Sequence, residues 1–143
     1  FVGAMPIYLT LGFIPTLIGF GLGLLAQGLL FEPADLVHLG VNTLSLAVPL
    51  CLVHAAFGKH LGNLNIKTIL KFDAVYYSGV TLMVGFWLAV GEVATPLTAW
   101  ATFTASYLSV VIAEPLVTYA IVKGLSRWKS NAAVRYCFNL HAI

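Results

Sequence analysis

Charge is scarce in this sequence. Charged residues make up 8% of its 143 residues, where a soluble domain carries about 25%. Hydrophobic residues make up 60%. A chain this oily cannot cover a globule with polar surface, so its surroundings are lipid and it reads as an integral membrane protein. The net charge of +2 is too small to hold a polyanion, which argues against nucleic-acid binding. Cysteine is scarce too. Cys51 lies in an apolar run and Cys137 near the end, with no C-x-x-C between them, so both read as unpaired thiols. There is no G-x-S-x-G, no H-E-x-x-H and no Walker motif, so the chain does not read as an enzyme or as the site of ATP hydrolysis. No two histidines stand at i, i+4, and His38 and His54 fall near opposite faces of the membrane, which disfavours a haem. The start at Phe1 has no basic region and no A-x-A site, so it does not read as a signal peptide. The expectation is a chain whose upstream part lies before Phe1.

What is present is apolar and segmented. The fold expected is all-α, a polytopic transmembrane bundle of about four spans with a short N-terminal apolar piece. The first segment, Val2 to Phe31, exceeds the roughly 20 residues that cross a bilayer. Pro15 is expected to divide it into a short piece and a full helix, because proline suits a first helical turn. Gly19 and Gly23 form a G-x-x-x-G, read as a site of close helix packing within the subunit. Further helices are expected over Val41 to Phe57, kinked at Pro49, over Phe72 to Val90, and over Leu97 to Val122. Residues 1–129 form the membrane domain in this reading and 130–143 a cytoplasmic or interfacial tail, where Arg135 and its aromatic neighbours suit an interfacial helix.

The basic residues set the topology. All seven Lys and Arg fall in the 58–71 connector or after Val122, while Glu32, Asp35 and Glu92 occupy the other two connectors. The positive-inside rule then puts the connector and the C-terminus in the cytoplasm, with the Glu32 loop and the Glu92 turn outside.

Several residues are candidates for chemistry. Glu32, Asp35 and His38 offer ligands of the kind that suit divalent transition metals. The bland reading is a solvated loop in which Asp35 caps a short turn. Asp73 stands near Lys71, where an ion pair or helix cap is the plain reading. Glu114, followed by Pro115, lies deep in the last span, where a charge is costly unless it is paired or lines a polar cavity. A structural hydrogen bond to a neighbouring helix and a role in transport both remain open for it. His54 could meet Glu114 across the bundle, or simply pack.

Two stretches resemble a known family. Leu24 to Pro49, with Gln27-Gly28-Leu29-Leu30-Phe31 and then Leu39-Gly40-Val41-Asn42, resembles the CbiM/NikM family, the membrane substrate-binding component of energy-coupling-factor cobalt and nickel transporters. Ser109 to Val122, with Ala113-Glu114-Pro115-Leu116-Val117-Thr118, resembles the final helix of that family. The resemblance implies a fold of about seven crossings, of which these four would be the last, in a bacterial or archaeal cytoplasmic membrane. It implies Co²⁺ or Ni²⁺ as substrate, no bound cofactor, and as partners the lipid bilayer, a transmembrane coupling subunit and cytoplasmic ATPases. Asn42, Glu114 and Thr118 would be family-motif residues that orient helices around the cavity. The chain departs from the family in its ligands. The family's Met-His start is absent, its further upstream His aligns near Val2 or before it, and Tyr107-Leu108-Ser109 stands where the family often has a His. A second class of function fits these losses: a non-catalytic scaffold subunit in a redox or photosynthetic membrane complex.

Overall fold

A computed structural model describes residues 3–62, 64–91 and 96–139. The expected Glu92 turn, Val2 and the last four residues lie outside that range. Every regular element among the described residues is helical: α1 (Ala4–Leu11), α2 (Phe13–Leu30), a 3₁₀ turn (Pro33–His38), α3 (Leu39–Phe57), a 3₁₀ turn (Gly58–His60), α4 (Ile66–Val90), α5 (Leu97–Arg127) and α6 (Ala132–Cys137). Four segments are long and apolar enough to cross a membrane: Phe13–Leu30, Pro33–Phe57, Ile66–Val90 and Leu97–Arg127. The protein is an all-α polytopic membrane bundle.

The spans turn apolar side chains outward. On α2, Ile14, Ile18, Leu22, Leu25 and Leu29 are all exposed. Their spacing of three and four residues makes one stripe facing lipid. Consecutive spans pack together, α2 on α3, α3 on α4 and α4 on α5, while α1 touches α2, α4 and α5. The short helix therefore sits inside an arc of four long ones.

α1 is the most enclosed element. Ala4, Met5, Pro6, Tyr8, Leu9 and Thr10 are buried. At about 1.5 Å per residue it covers roughly 12 Å, under half a bilayer core. Gly3 and Gly12 bound it, each with φ 94, a backbone region that a Cβ disfavours. The division between the first two helices thus falls at Gly12, and Pro15 lies in the first turn of α2, where its missing N–H has no intrahelical role.

Two boundaries differ from the sequence reading. α4 starts at Ile66 rather than Phe72, because Asn65 caps it: the Asn65 side chain accepts from the Thr68 N–H at 2.9 Å. Ile69 and Phe72 then bury on the first turns. α5 runs on to Arg127, past the expected end at Val122. α3 continues through Pro49.

Close approaches occur at Gly79 and Gly28 rather than at Gly19. A Cβ on Gly19 would meet nothing within 4 Å. On Gly79 it would lie 2.8 Å from the Pro49 Cβ, and on Gly28 it would lie 2.5 Å from a Leu36 methyl. The α3–α4 contact therefore needs a glycine opposite the proline ring.

Candidate functional site

The polar interior is built around the start of α1. The first N–H groups of a helix have no intrahelical acceptor, and they carry its positive end. Here Glu114, on α5, supplies the acceptor. Its Oε1 accepts from Met5 N at 3.1 Å and its Oε2 from Gly3 N at 3.2 Å. The Tyr77 hydroxyl, on α4, donates to the same Oε2. Glu114 is 4% exposed, yet both of its oxygens are engaged. The carboxylate binds α1, α4 and α5 at one point and sets its charge against the positive end of a helix. Pro115 follows and is buried with it.

Below this point the seam stays polar. Asp73 is fully buried and neither of its carboxyl oxygens has a hydrogen-bond partner among the described residues. The expected pairing with Lys71 does not form: the Lys71 ammonium lies 4.8 Å from the centroid of the Phe57 ring, held by the ring's negative face. Asp73 does not cap α4 either, since Asn65 does. Thr118, one turn along α5 from Glu114, is buried with its hydroxyl unpartnered.

His54 does not reach Glu114. Its Nδ1 pairs with the Tyr8 hydroxyl at 2.9 Å, and its ring stacks on Phe13 at 4.1 Å between centroids and 7° between planes. It ties the C-terminal part of α3 to α1 and to the first residue of α2. The tail meets the same corner, where Asn139 N donates to Thr10 O at 2.6 Å. α1 is therefore held at its N-terminus by Glu114 and near its C-terminus by Tyr8–His54 and by the tail.

A family model for CbiM, the cobalt uptake substrate-specific transmembrane region, matches residues 1–132. The chain belongs to the CbiM family. No curated protein and no solved structure matches it. As a CbiM chain it is an integral membrane component of cobalt transport.

The Pro33–His38 turn of this CbiM chain differs from the Glu114 seam. Glu32 and His38 are exposed and Asp35 is half-buried. They sit on a 3₁₀ turn with no side-chain cap, closed by the Asp35 N–H donating to Glu32 O at 3.0 Å. Among the described residues no three His, Cys, Asp or Glu side chains are grouped so that they could hold a metal ion. Asn42 is half-buried and lines a cleft of ≈ 470 Å³ between α3 and α4, with His38, Ser45 and Trp87. Of the residues singled out in the sequence, the structure joins Glu114 to α1 and places Thr118 in the same seam. It keeps Asn42 and the acidic turn at the far end of the bundle.

Sequence reasoning missed the tyrosines. Tyr8, Tyr76 and Tyr77 are all buried. A signal existed on α4: Asp73, Tyr76, Tyr77 and Val80 recur at helical spacing with Ile69 and Phe72, so one face carries the acid and both phenols. Nothing in the sequence marks the backbone of Gly3 and Met5 as the partner of Glu114.

Proposed function

We propose that this chain is the substrate-specific membrane component of an energy-coupling-factor uptake transporter for Co²⁺ or Ni²⁺. Its partners are then a transmembrane coupling subunit and cytoplasmic ATPases, and its membrane is the cytoplasmic membrane of a bacterium or archaeon. The observation that carries the reading is the family match over residues 1–132. The charge distribution supports an inward orientation of the C-terminus. Lys59, Lys67, Lys71, Lys123, Arg127, Lys129 and Arg135 all stand at one end of the bundle, as the positive-inside rule requires of the cytoplasmic side. Residues 130–143 then form a cytoplasmic or interfacial tail.

In this orientation Glu114 positions α1 rather than binding metal. Its oxygens are committed to α1 and Tyr77. The carboxylate holds the N-terminus of α1 inside the membrane and fixes the direction from which the chain enters the bundle. Asn42 and Ser45 line the outer cleft, through which a hydrated cation would approach.

Cobalt accumulation is the test. Cells lacking their own copy of the protein are supplied with the full-length chain, and radiolabelled Co²⁺ uptake is measured beside Ni²⁺ competition. Uptake that requires the chain, together with co-purification of ATPase subunits, supports the reading. Absence of uptake and co-purification with redox or photosynthetic subunits instead would replace it with the scaffold role.

A further inference from the structure

Glu114 leaves other polar groups in the same seam unanswered. Asp73 is 0% exposed, and neither of its carboxyl oxygens has a partner within the described chain. The Tyr76 and Thr118 hydroxyls are also fully buried and unpartnered. Buried polar groups are nearly always hydrogen-bonded, and an unpaired charge inside a membrane bundle is costly enough to mark a functional position. Three such groups in one seam call for an occupant.

On α4 and α5, Asp73 and Thr118 stand on the same side of the Tyr77–Glu114 contact. α4 and α5 run antiparallel, since Trp100 reaches Thr81 while Glu114 reaches Tyr77. One turn back along α4 from Tyr77 is Asp73. One turn on along α5 from Glu114 is Thr118, in the same direction. Tyr76 shares the buried face of α4 with Asp73 at i+3. The start of α1 compensates Glu114 through hydrogen bonds. Asp73 has no such compensation.

We propose that Asp73, with the Tyr76 and Thr118 hydroxyls, forms an inner, oxygen-lined station for the divalent cation being transported. The proposal rests on the cobalt-uptake reading given above. A carboxylate with two free oxygens and two neutral hydroxyls is a ligand set that a divalent cation accepts. One negative charge makes the set weak, and a site on a transport path must release what it binds. Asp73 stands seven residues after the start of α4, about 10 Å in at 1.5 Å per residue. Along α4 it therefore lies nearer the basic end of the bundle than Tyr77, whose hydroxyl holds Glu114, on the side where a cation passing inward would go.

The test titrates the purified full-length protein in detergent with cobalt chloride and follows binding by equilibrium dialysis, for wild type, Asp73→Asn and Tyr76→Phe. Asp73→Asn is expected to weaken one class of Co²⁺ binding roughly tenfold or more, to lower cobalt uptake in cells, and to leave the melting temperature unchanged or raised. Tyr76→Phe is expected to weaken the same class by a smaller factor. If Asp73→Asn binds and transports Co²⁺ like the wild type, the station does not exist while the transport reading stands. If wild type neither binds nor takes up Co²⁺, both readings fall together. Should Asp73→Asn prove unfolded, Tyr76→Phe decides, and unaltered Co²⁺ binding by that folded variant overturns the station. Loss of stability in Asp73→Asn with unchanged Co²⁺ affinity would make Asp73 a structural residue and overturn it as well.

Discussion

The turn at Pro33–His38 and the seam around Glu114 carry the same kinds of residue in opposite circumstances. The turn shows Glu32 and His38 to the surface, without a cap and without a grouped set of ligands. The seam buries Glu114 and Asp73 to 4% and 0% exposure. A carboxylate in water is solvated whatever its neighbours do, so its position constrains little. A carboxylate inside the bundle must be answered by something specific. The seam is therefore where the sequence constrains the packing most, and the acidic turn is set apart chiefly by how close its residues stand in the chain.

The contrast can be broken first at Glu114. Glu114→Ala removes the acceptor for two backbone N–H groups and one phenol. It is expected to cost about 3 kcal/mol, since hydrogen bonds to a charged group contribute roughly 1.5–3 kcal/mol each and do not add fully. Thermal unfolding in detergent measures this, and α1 should become open to proteolysis while the four spans persist. No loss of stability would mean that α1 is held by packing alone.

Tyr77→Phe removes one donor from the same carboxylate and leaves α1 attached. Its expected cost is about 1.5 kcal/mol, clearly less than that of Glu114→Ala in the same unfolding assay. Tyr8→Phe frees His54 at the other end of α1, and a neutral pair of this kind contributes about 1 kcal/mol. A Tyr8→Phe effect equal to that of Glu114→Ala would put the main anchor of α1 at its wrong end.

How much of this was legible depended on whether a side-chain pattern encoded it. The four spans stood in the sequence, because length and apolar content are properties of single segments. Glu114 was visible as an anomaly, a charge deep in an apolar helix. Its partner was not, because the partner is the backbone of Gly3 and Met5, some 109 residues away along the chain for Met5, and any residue there would offer the same N–H. Asp73 was misplaced for a different reason. The cap at Asn65 lies within the polar connector, and a helix begun at Phe72 instead puts Asp73 in its first turn beside Lys71. With the helix extended to Ile66, Asp73 moves inside. Gly19 of the G-x-x-x-G has no close neighbour. Gly79 is close-packed because Pro49 faces it, and that pairing between two helices has no signature within either one.

The weakest effect is expected on the outer side of the contrast. The triple variant Glu32→Gln, Asp35→Asn, His38→Asn changes exposed or half-exposed groups without caps. It should alter stability by less than about 0.5 kcal/mol, as surface substitutions usually do. A larger shift in the unfolding midpoint would show that the turn is more than a connector.

Radiolabelled cobalt uptake, compared between Glu114→Gln and the outer triple variant at matched amounts of protein in the membrane, separates the two regions most directly. Glu114→Gln keeps the shape of the side chain and removes the charge that faces the start of α1. If the seam organises transport, Glu114→Gln loses most uptake and the triple variant retains it. Normal uptake by Glu114→Gln, with uptake abolished in the triple variant, would place the functional centre at the outer turn and contradict the role assigned to the seam.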